Sequence, residues 1–492
     1  MEKSVETVLE DLVEASTVSV RSGEDLLGKV KAAIAADDKK RADRGEGGLR
    51  RKPHLAPLHR GEFTREQTVA MWDVLHTLAS ATALSAKGAG RGMAEHWGAL
   101  KYHQALAVGG QLQLPGHGQY LRLTGEGRGI GDYYKHQQST ELGTGLALTI
   151  AKHVLGLRYP HHCVSILPVE TVLRAGWAVT DTGREARKGG GAGHRYRPQY
   201  LAEVWRPGEA SLVVPIVSKG NHSNSLTSAG QLASASAHAE GLHIGEWNET
   251  PGLLFSTELS RAGVVTVHVL RAVGRGGRLD LPDGELPVSL NEPSRPAVLV
   301  PGVRRPAEGG RVPEPEPGWH LGPDDFRWFQ ETLGRTEAAG LMAFTDSGNG
   351  TAQYLTVAQG RKRFEGYDHA AGVGPGDLRE TIRGESYVGT DHVFRLNGTR
   401  VEAFSGVHTR LFDLLIGGDV AEYRAVVHAN RRDRPWVGLD EKWGGPVSVH
   451  ADGSVLALRV LTDGSRRPAV RAASPGSTGG GCGGGPGCER GR

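Results

Sequence analysis

Arg197-Pro198-Gln199-Tyr200-Leu201-Ala202-Glu203, followed by Ser211-Leu212-Val213-Val214-Pro215-Ile216-Val217-Ser218-Lys219-Gly220, is the stretch on which the fold turns. Both segments are dominated by aliphatic, β-branched and aromatic residues bounded by proline, glycine and charge, the composition of strands. The second is apolar on both faces over 213–217, as a strand inside a sheet is, and ends in Lys219 and a small-residue turn. Pro215 argues against a central place, because proline donates nothing to a ladder.

Outward from this pair, residues 139–273 read as an ordered α/β series. Ser139 or Thr140 can cap a helix that carries Glu141, Leu142, Leu146, Ile150, Val154 and Leu155 at helical spacing. An apolar segment over 164–167 precedes the two strands. An alanine-rich helix over 231–242 follows them, then strands at 253–256 and 264–270, the latter rich in valine.

Ahead of this series, Val5, Val8, Leu9, Leu12 and Val13 fall on one helical stripe behind Ser4, and Leu26, Leu27, Val30 and Ile34 on another behind Ser22. Residues 1–36 thus read as a helical hairpin, packed on its own protein or docked on a partner. The charged segment 37–60 reads as a linker, and 61–138 as a helical and irregular region. Within it Thr64 and Gln67 form a capping box for a helix bearing Val69, Trp72, Leu75 and Leu78. Gly125-Glu126-Gly127-Arg128-Gly129-Ile130-Gly131 lacks the lysine and hydroxyl of a phosphate loop and reads as a flexible loop. The proline-rich stretch 274–318 reads as a linker. Residues 319–463 read as a C-terminal α+β domain, with Asn397-Gly398-Thr399 as a turn between strands, and 464–492 as a disordered glycine-rich tail.

Composition narrows the class. A chain of 492 residues exceeds one core and implies several domains. Its net charge of +3 permits nucleic acid as a partner without requiring it. Cys163, Cys482 and Cys488 make no disulfide framework and read as reduced thiols. With no secretory signal and no run of about 18 apolar residues, the expectation is a cytoplasmic protein without a membrane partner.

The order helix, strand, strand, strand, helix, strand over residues 139–270 resembles the restriction-endonuclease-like PD-(D/E)XK superfamily. The resemblance implies a mixed sheet with an αβββαβ core and a Mg²⁺ site made from the acid of a Pro-Asp strand and the acid two residues before a lysine. Carried across, Glu141 matches the helical acid, Pro198-Gln199 the Pro-Asp pair, Val217-Ser218-Lys219 the acid-x-lysine, and Gln231 falls on the following helix. Two departures follow. Gln199 offers a neutral carbonyl and Val217 offers nothing, whereas Mg²⁺ wants anionic oxygen. The implied core is degenerate and inactive, with no cofactor. Glu203 shares a strand face with Gln199 and can stand in as a migrated acid. A Mg²⁺ nuclease centred on Glu141, Glu203 and Lys219, with Glu141 and Glu203 as metal ligands, is therefore the alternative to a catalytically silent core.

Other clusters carry less. Tyr159-Pro160-His161-His162-Cys163 lacks zinc-ligand spacing. Asp391, His392, Glu402 and Ser405 lack the Gly-x-Ser-x-Gly elbow of a hydrolase. Arg361, Lys362 and Arg363, together with Arg431, Arg432 and Arg434 beside Trp436, are basic patches suited to gripping phosphates and stacking on bases. The sequence points to a nucleic-acid-associated protein, with DNA as its expected partner. A protein-interaction or regulatory module acting through the N-terminal helices is the reading from another class.

Overall fold

The computed structural model describes residues 4–86, 106–108, 120–129, 131–175, 196–245, 250–260, 263–281, 318–365, 378–396 and 398–461. In the N-terminal part, α1 (Val5–Val13) leads to β1 (Ala15–Arg21), α2 (Glu24–Asp43), β2 (Leu55–Ala56), β3 (Glu66–Ala70) and α3 (Met71–Ala86). A small pair, β4 (Leu106–Val108) and β5 (Leu121–Leu123), precedes α4 (Asp132–Arg158), β6 (Cys163–Pro168), β7 (Tyr200–Trp205), β8 (Leu212–Asn221) and α5 (Ser225–Glu240). Then come β9 (Leu242–Ile244), β10 (Gly252–Glu258), β11 (Thr266–Ala272), β12 (Trp319–Leu321) and α6 (Phe326–Phe344). The last part holds β13 (Leu378–Ile382), β14 (Glu385–Leu396), β15 (Thr399–His408), α7 (Thr409–Ile416), α8 (Val420–Ala429), β16 (Trp436–Asp440), β17 (Gly445–Val449) and β18 (Ser454–Val460). The architecture is mixed α/β.

The first sheet runs β3-β1-β11-β10-β8-β7-β6, with β2 paired to β11. Strands β6, β7 and β8 form an antiparallel meander; α5 then returns the chain so that β10 lies parallel to β8. The two faces of β8 are covered differently. Val214 and Ile216 join the cluster containing Leu142, Leu146 and Ile150 of α4. Val217 joins Ala229, Leu232 and Ala233 of α5 and Leu26, Leu27 and Val30 of α2. Helices thus cover both faces of a largely internal sheet.

One close approach sets the depth of the α4 layer. A Cβ on Gly220 would lie 1.9 Å from the Ser139 carbonyl oxygen, and one on Gly143 would lie 3.2 Å from the Gly220 Cα. Backbone meets backbone here, which only glycine allows.

The second sheet, β13-β14-β15-β18-β17-β16, is antiparallel throughout. One face gathers Ile382, Phe404, Trp443, Val447 and Val455. The other sends Val401, Leu456 and Leu458 into the same cluster as the α4 side of the first sheet. Helix α3 makes that seam: Trp72 Nε1 donates to the Leu456 carbonyl at 2.8 Å, and the His76 ring stacks on His450 at 3.6 Å. Ser448 Oγ donates to Asp73 Oδ1 at 3.1 Å, and His450 Nε2 lies 3.0 Å from the same oxygen.

Several local expectations are corrected. The expected N-terminal hairpin is interrupted by β1, which pairs parallel with β11 and antiparallel with β3. Its flanking helices part company, α1 packing against the second sheet and α2 against α5. The alternation in Ser16-Thr17-Val18-Ser19-Val20 suits a strand, and the sheet edge supplies its partner. The helix expected from Thr64 begins at Met71, because residues 66–70 are drawn into β3. Helix α2 continues to Asp43, into the expected linker. Gly125–Gly129 is a helical turn and not a loop. Ser139 and Thr140 are not caps: α4 starts at Asp132, and both hydroxyls donate back to the His136 carbonyl. Pro215 does sit in an internal strand, one residue before the pairing with β10 begins at Ile216. Most of the proline-rich stretch and the glycine-rich tail lie outside the described residues. No helix among the described residues is long and apolar enough to cross a membrane.

Candidate functional site

The β7–β8 register pairs Tyr200 with Ile216, which brings Gln199 opposite Val217 and one step from Lys219 on the same face. Gln199 spends both polar atoms on the neighbouring backbone. Its Oε1 accepts from the Ser218 N–H at 3.0 Å, and its Nε2 donates to the Ser218 carbonyl at 3.1 Å. The side chain therefore acts as one more rung of the ladder. Val217 is fully buried against α5.

Lys219 is half-buried, and that burial lowers its ammonium pKa. The His238 imidazole on α5 is held at 3.1 Å from the Arg197 carbonyl through Nδ1. Burial first, and then the charge of Lys219, depress its basicity. Beyond Lys219 the strand ends in an amide and hydroxyl network. Asn221 Nδ2 donates to Ser228 Oγ at 3.0 Å and to Gln231 Oε1 at 3.1 Å. Gln231 Nε2 donates to the Gly220 carbonyl at 2.7 Å, and Ser256 Oγ to Gln231 Oε1 at 2.7 Å. Gln231 closes the turn onto α5.

The other expected site residues lie elsewhere. Glu141 rises from α4, which packs on the Gly220 face of the sheet, opposite the face of Lys219; its Oε1 accepts from Gln137 Nε2 at 3.2 Å. Glu203 faces Val213, six strand positions before Lys219, a separation of roughly 20 Å at the usual rise. It is fully buried, accepting from Ser211 Oγ at 2.7 Å and from both terminal nitrogens of Arg424. Arg424 lies over the Trp205 ring at 4.6 Å and also binds Glu337 at 2.9 Å. Its burial opposes the charge, but Glu203 and Glu337 outweigh it and raise the guanidinium pKa. Glu141, Glu203 and Lys219 are therefore not one site. Among the described residues, no group of three or more histidine, cysteine, aspartate or glutamate side chains is placed to hold a metal ion.

The basic patches occupy two separate elements. Arg361, Lys362 and Arg363 form an exposed 3₁₀ turn, with Arg361 paired to Glu365 at 2.6 Å. Arg431, Arg432 and Arg434 lie between α8 and β16; Arg432 is exposed, while Arg431 and Arg434 are half-buried. Arg383, not this trio, covers the Trp436 ring, at 4.1 Å. The loop histidines before Cys163 serve other purposes: His162 faces Glu209 at 3.5 Å, and the His161 carbonyl lies 2.9 Å from His428 Nε2. Ser405 and Glu402 point apart, Ser405 donating to the Phe344 carbonyl at 2.9 Å and Glu402 accepting from Arg459 at 2.5 Å.

Tyr133 and Tyr134, at the start of α4, escaped the sequence reading. Their rings meet edge to face at 5.4 Å and are 76% and 57% exposed, the most exposed aromatic pair described. Exposed Arg128 precedes them, and half-buried Lys135 follows, paired to Asp132 at 3.1 Å. Adjacent helical residues diverge by about 100°, so two neighbouring tyrosines in the first turn cannot both face a core. That was the available signal.

No family model, curated protein or solved structure matches this chain.

Proposed function

We propose that this chain binds nucleic acid, single strands in particular, without hydrolysing it. The observation that carries the reading is the exposed Tyr133–Tyr134 pair beside Arg128 and Lys135. Bases of any sequence stack on such rings while neighbouring cations meet the backbone, and stacking is worth about 1–3 kcal/mol per base. Among the described residues of 132–258, α4, the antiparallel strands β6, β7 and β8, α5 and the parallel β10 follow in that order, with a short helix at Val169–Leu173 and β9 inserted, an order that supports the endonuclease-like reading. The engagement of Gln199 with Ser218, and of Glu203 with Arg424, supports a core without metal chemistry. The exposed turn Arg361–Arg363 and Arg432 offer further phosphate contacts.

Fluorescence anisotropy with a labelled oligothymidylate tests this. Binding is expected to weaken steeply between about 50 and 200 mM salt as counterions cease to be released favourably. The Tyr133→Ala/Tyr134→Ala variant is expected to lose about tenfold or more, and no divalent ion is expected to produce cleavage. Absence of binding at low salt would overturn the reading. So would Mg²⁺-dependent cleavage that disappears in Lys219→Ala.

A further inference from the structure

At the opposite end of β8 from Lys219, α4 stops at Arg158 and leaves part of the sheet uncovered. The result is a cleft of about 510 Å³, within the usual range for small-molecule sites. Its floor is an apolar surface: Val204 of β7, Leu212 and Val214 of β8 and Leu253 of β10, which share one face of the sheet, flanked by Leu155 of α4.

The rim is cationic. Arg158, Arg271, Arg275 and Arg278 line it against Glu62 and Glu209. Both acids are already engaged, Glu62 with Arg158 at 3.3 Å and Glu209 with Arg206 at 3.0 Å. Arg278 is paired with Asp280 at 2.7 Å. Arg271 donates only through Nε, to the Pro57 carbonyl at 3.0 Å. Among the described residues, the terminal nitrogens of Arg271 and the whole Arg275 guanidinium have no partner. Gly274 and Gly276 flank Arg275 in the lining, so no bulky neighbour screens it.

We propose that this cleft binds a small organic phosphate with a planar body, of the class of a nucleoside monophosphate. Two unengaged guanidinium groups match a phosphate dianion, which accepts several charge-assisted hydrogen bonds at once. The apolar floor, walled by Leu155 of α4, suits the face of a base ring. Neither Tyr133, Tyr134 nor Lys219 lines the cleft, so the inference stands independently of the strand-binding face.

The test is isothermal titration of the full chain with adenosine 5′-monophosphate, with adenosine and laurate as comparison probes. The nucleotide is expected to saturate one site, adenosine to bind at least about tenfold more weakly, and Arg275→Ala to lose at least about tenfold, equivalent to about 1.4 kcal/mol. Because Arg275 is exposed and makes no internal bond, the variant keeps the fold. Oligothymidylate binding is expected to be unchanged in Arg275→Ala, and nucleotide binding unchanged in Tyr133→Ala/Tyr134→Ala. The proposal is overturned by any of three results. These are no heat with the nucleotide at millimolar concentration, equal binding to Arg275→Ala, or Arg275-dependent binding of laurate alone, which would make the site one for fatty carboxylates.

Discussion

Arg424 grips Glu203 through both terminal nitrogens, at 3.1 and 2.5 Å, although 221 residues separate them in the chain. The pair pins the antiparallel meander of the first sheet to α8, and Glu337 of α6 completes a triad around one guanidinium. Removing one member of a buried ion pair leaves an uncompensated charge, at a cost of about 3–5 kcal/mol. Arg424→Met is therefore expected to lower the unfolding free energy in urea by about that amount. A triple variant that also replaces Glu203 and Glu337 with apolar residues is expected to recover part of the loss, since no unpaired charge remains. A loss below about 1 kcal/mol in Arg424→Met would be the behaviour of a solvated pair and would refute this account.

Gly220→Ala meets a rigid obstacle. The new Cβ would fall 1.9 Å from the Ser139 carbonyl oxygen, and a helix backbone cannot swing aside as a side chain does. Either α4 lifts from β8 or the strand bends, and overpacking of this kind costs about 1–3 kcal/mol or more. Circular dichroism melts are expected to show a clear drop in Tm, whereas Gly230→Ala, in open space inside α5, is expected to leave Tm unchanged or raise it slightly.

Acid is expected to destabilise the fold through His243. Its imidazole is pushed down to about 2, first by burial and then by the charges of Lys52 and Arg50. Its folded pKa lies below the unfolded one, so on acidification the unfolded chain takes up the proton first. The corresponding stability is therefore present above about pH 6.5 and is lost as the pH falls below it. By pH 5 the loss from this one group is about 2 kcal/mol. His76, lowered by burial and by His450, acts in the same direction. Urea titrations at pH 7.5 and pH 5 measure the difference, and His243→Phe is expected to shrink it. An unchanged pH dependence in that variant would rule out His243 as its source.

Cys163 is expected to resist alkylation. Burial, followed by the negative charge of Glu337, pushes its thiol up to about 12. Reactivity follows the thiolate fraction, which falls about a thousandfold for such a shift. Peptide mapping after iodoacetamide treatment at pH 8 is expected to find Cys163 unmodified in the native protein and modified in denaturant. Labelling of Cys163 under native conditions would contradict its burial.

Much of the first sheet was readable from composition. The segments that became β7, β8, β10 and β11 are β-branched and apolar, and their burial in a sheet agrees with that local preference. Strands β1 and β3, at one side of the sheet, were harder, because each is short and abuts a strong helical pattern, and only pairing within the sheet decides between the two. The site was less readable still. The neutral amide at position 199 and the valine at 217 are plain in the sequence. That the amide of Gln199 is consumed by Ser218, and that Glu203 lies far along the strand from Lys219 and binds Arg424, depends on register and on a helix more than two hundred residues later.

From its residues alone the chain is determined to be an α/β protein with a neutral amide at position 199 and a valine at 217, because side-chain chemistry and strand preference are local properties. The tertiary structure alone decided which polar groups remain available. Hydrogen-bond capacity is finite, and only the packing shows that the Gln199 amide and the Glu203 carboxylate are used internally while Tyr133, Tyr134 and Arg275 face outward.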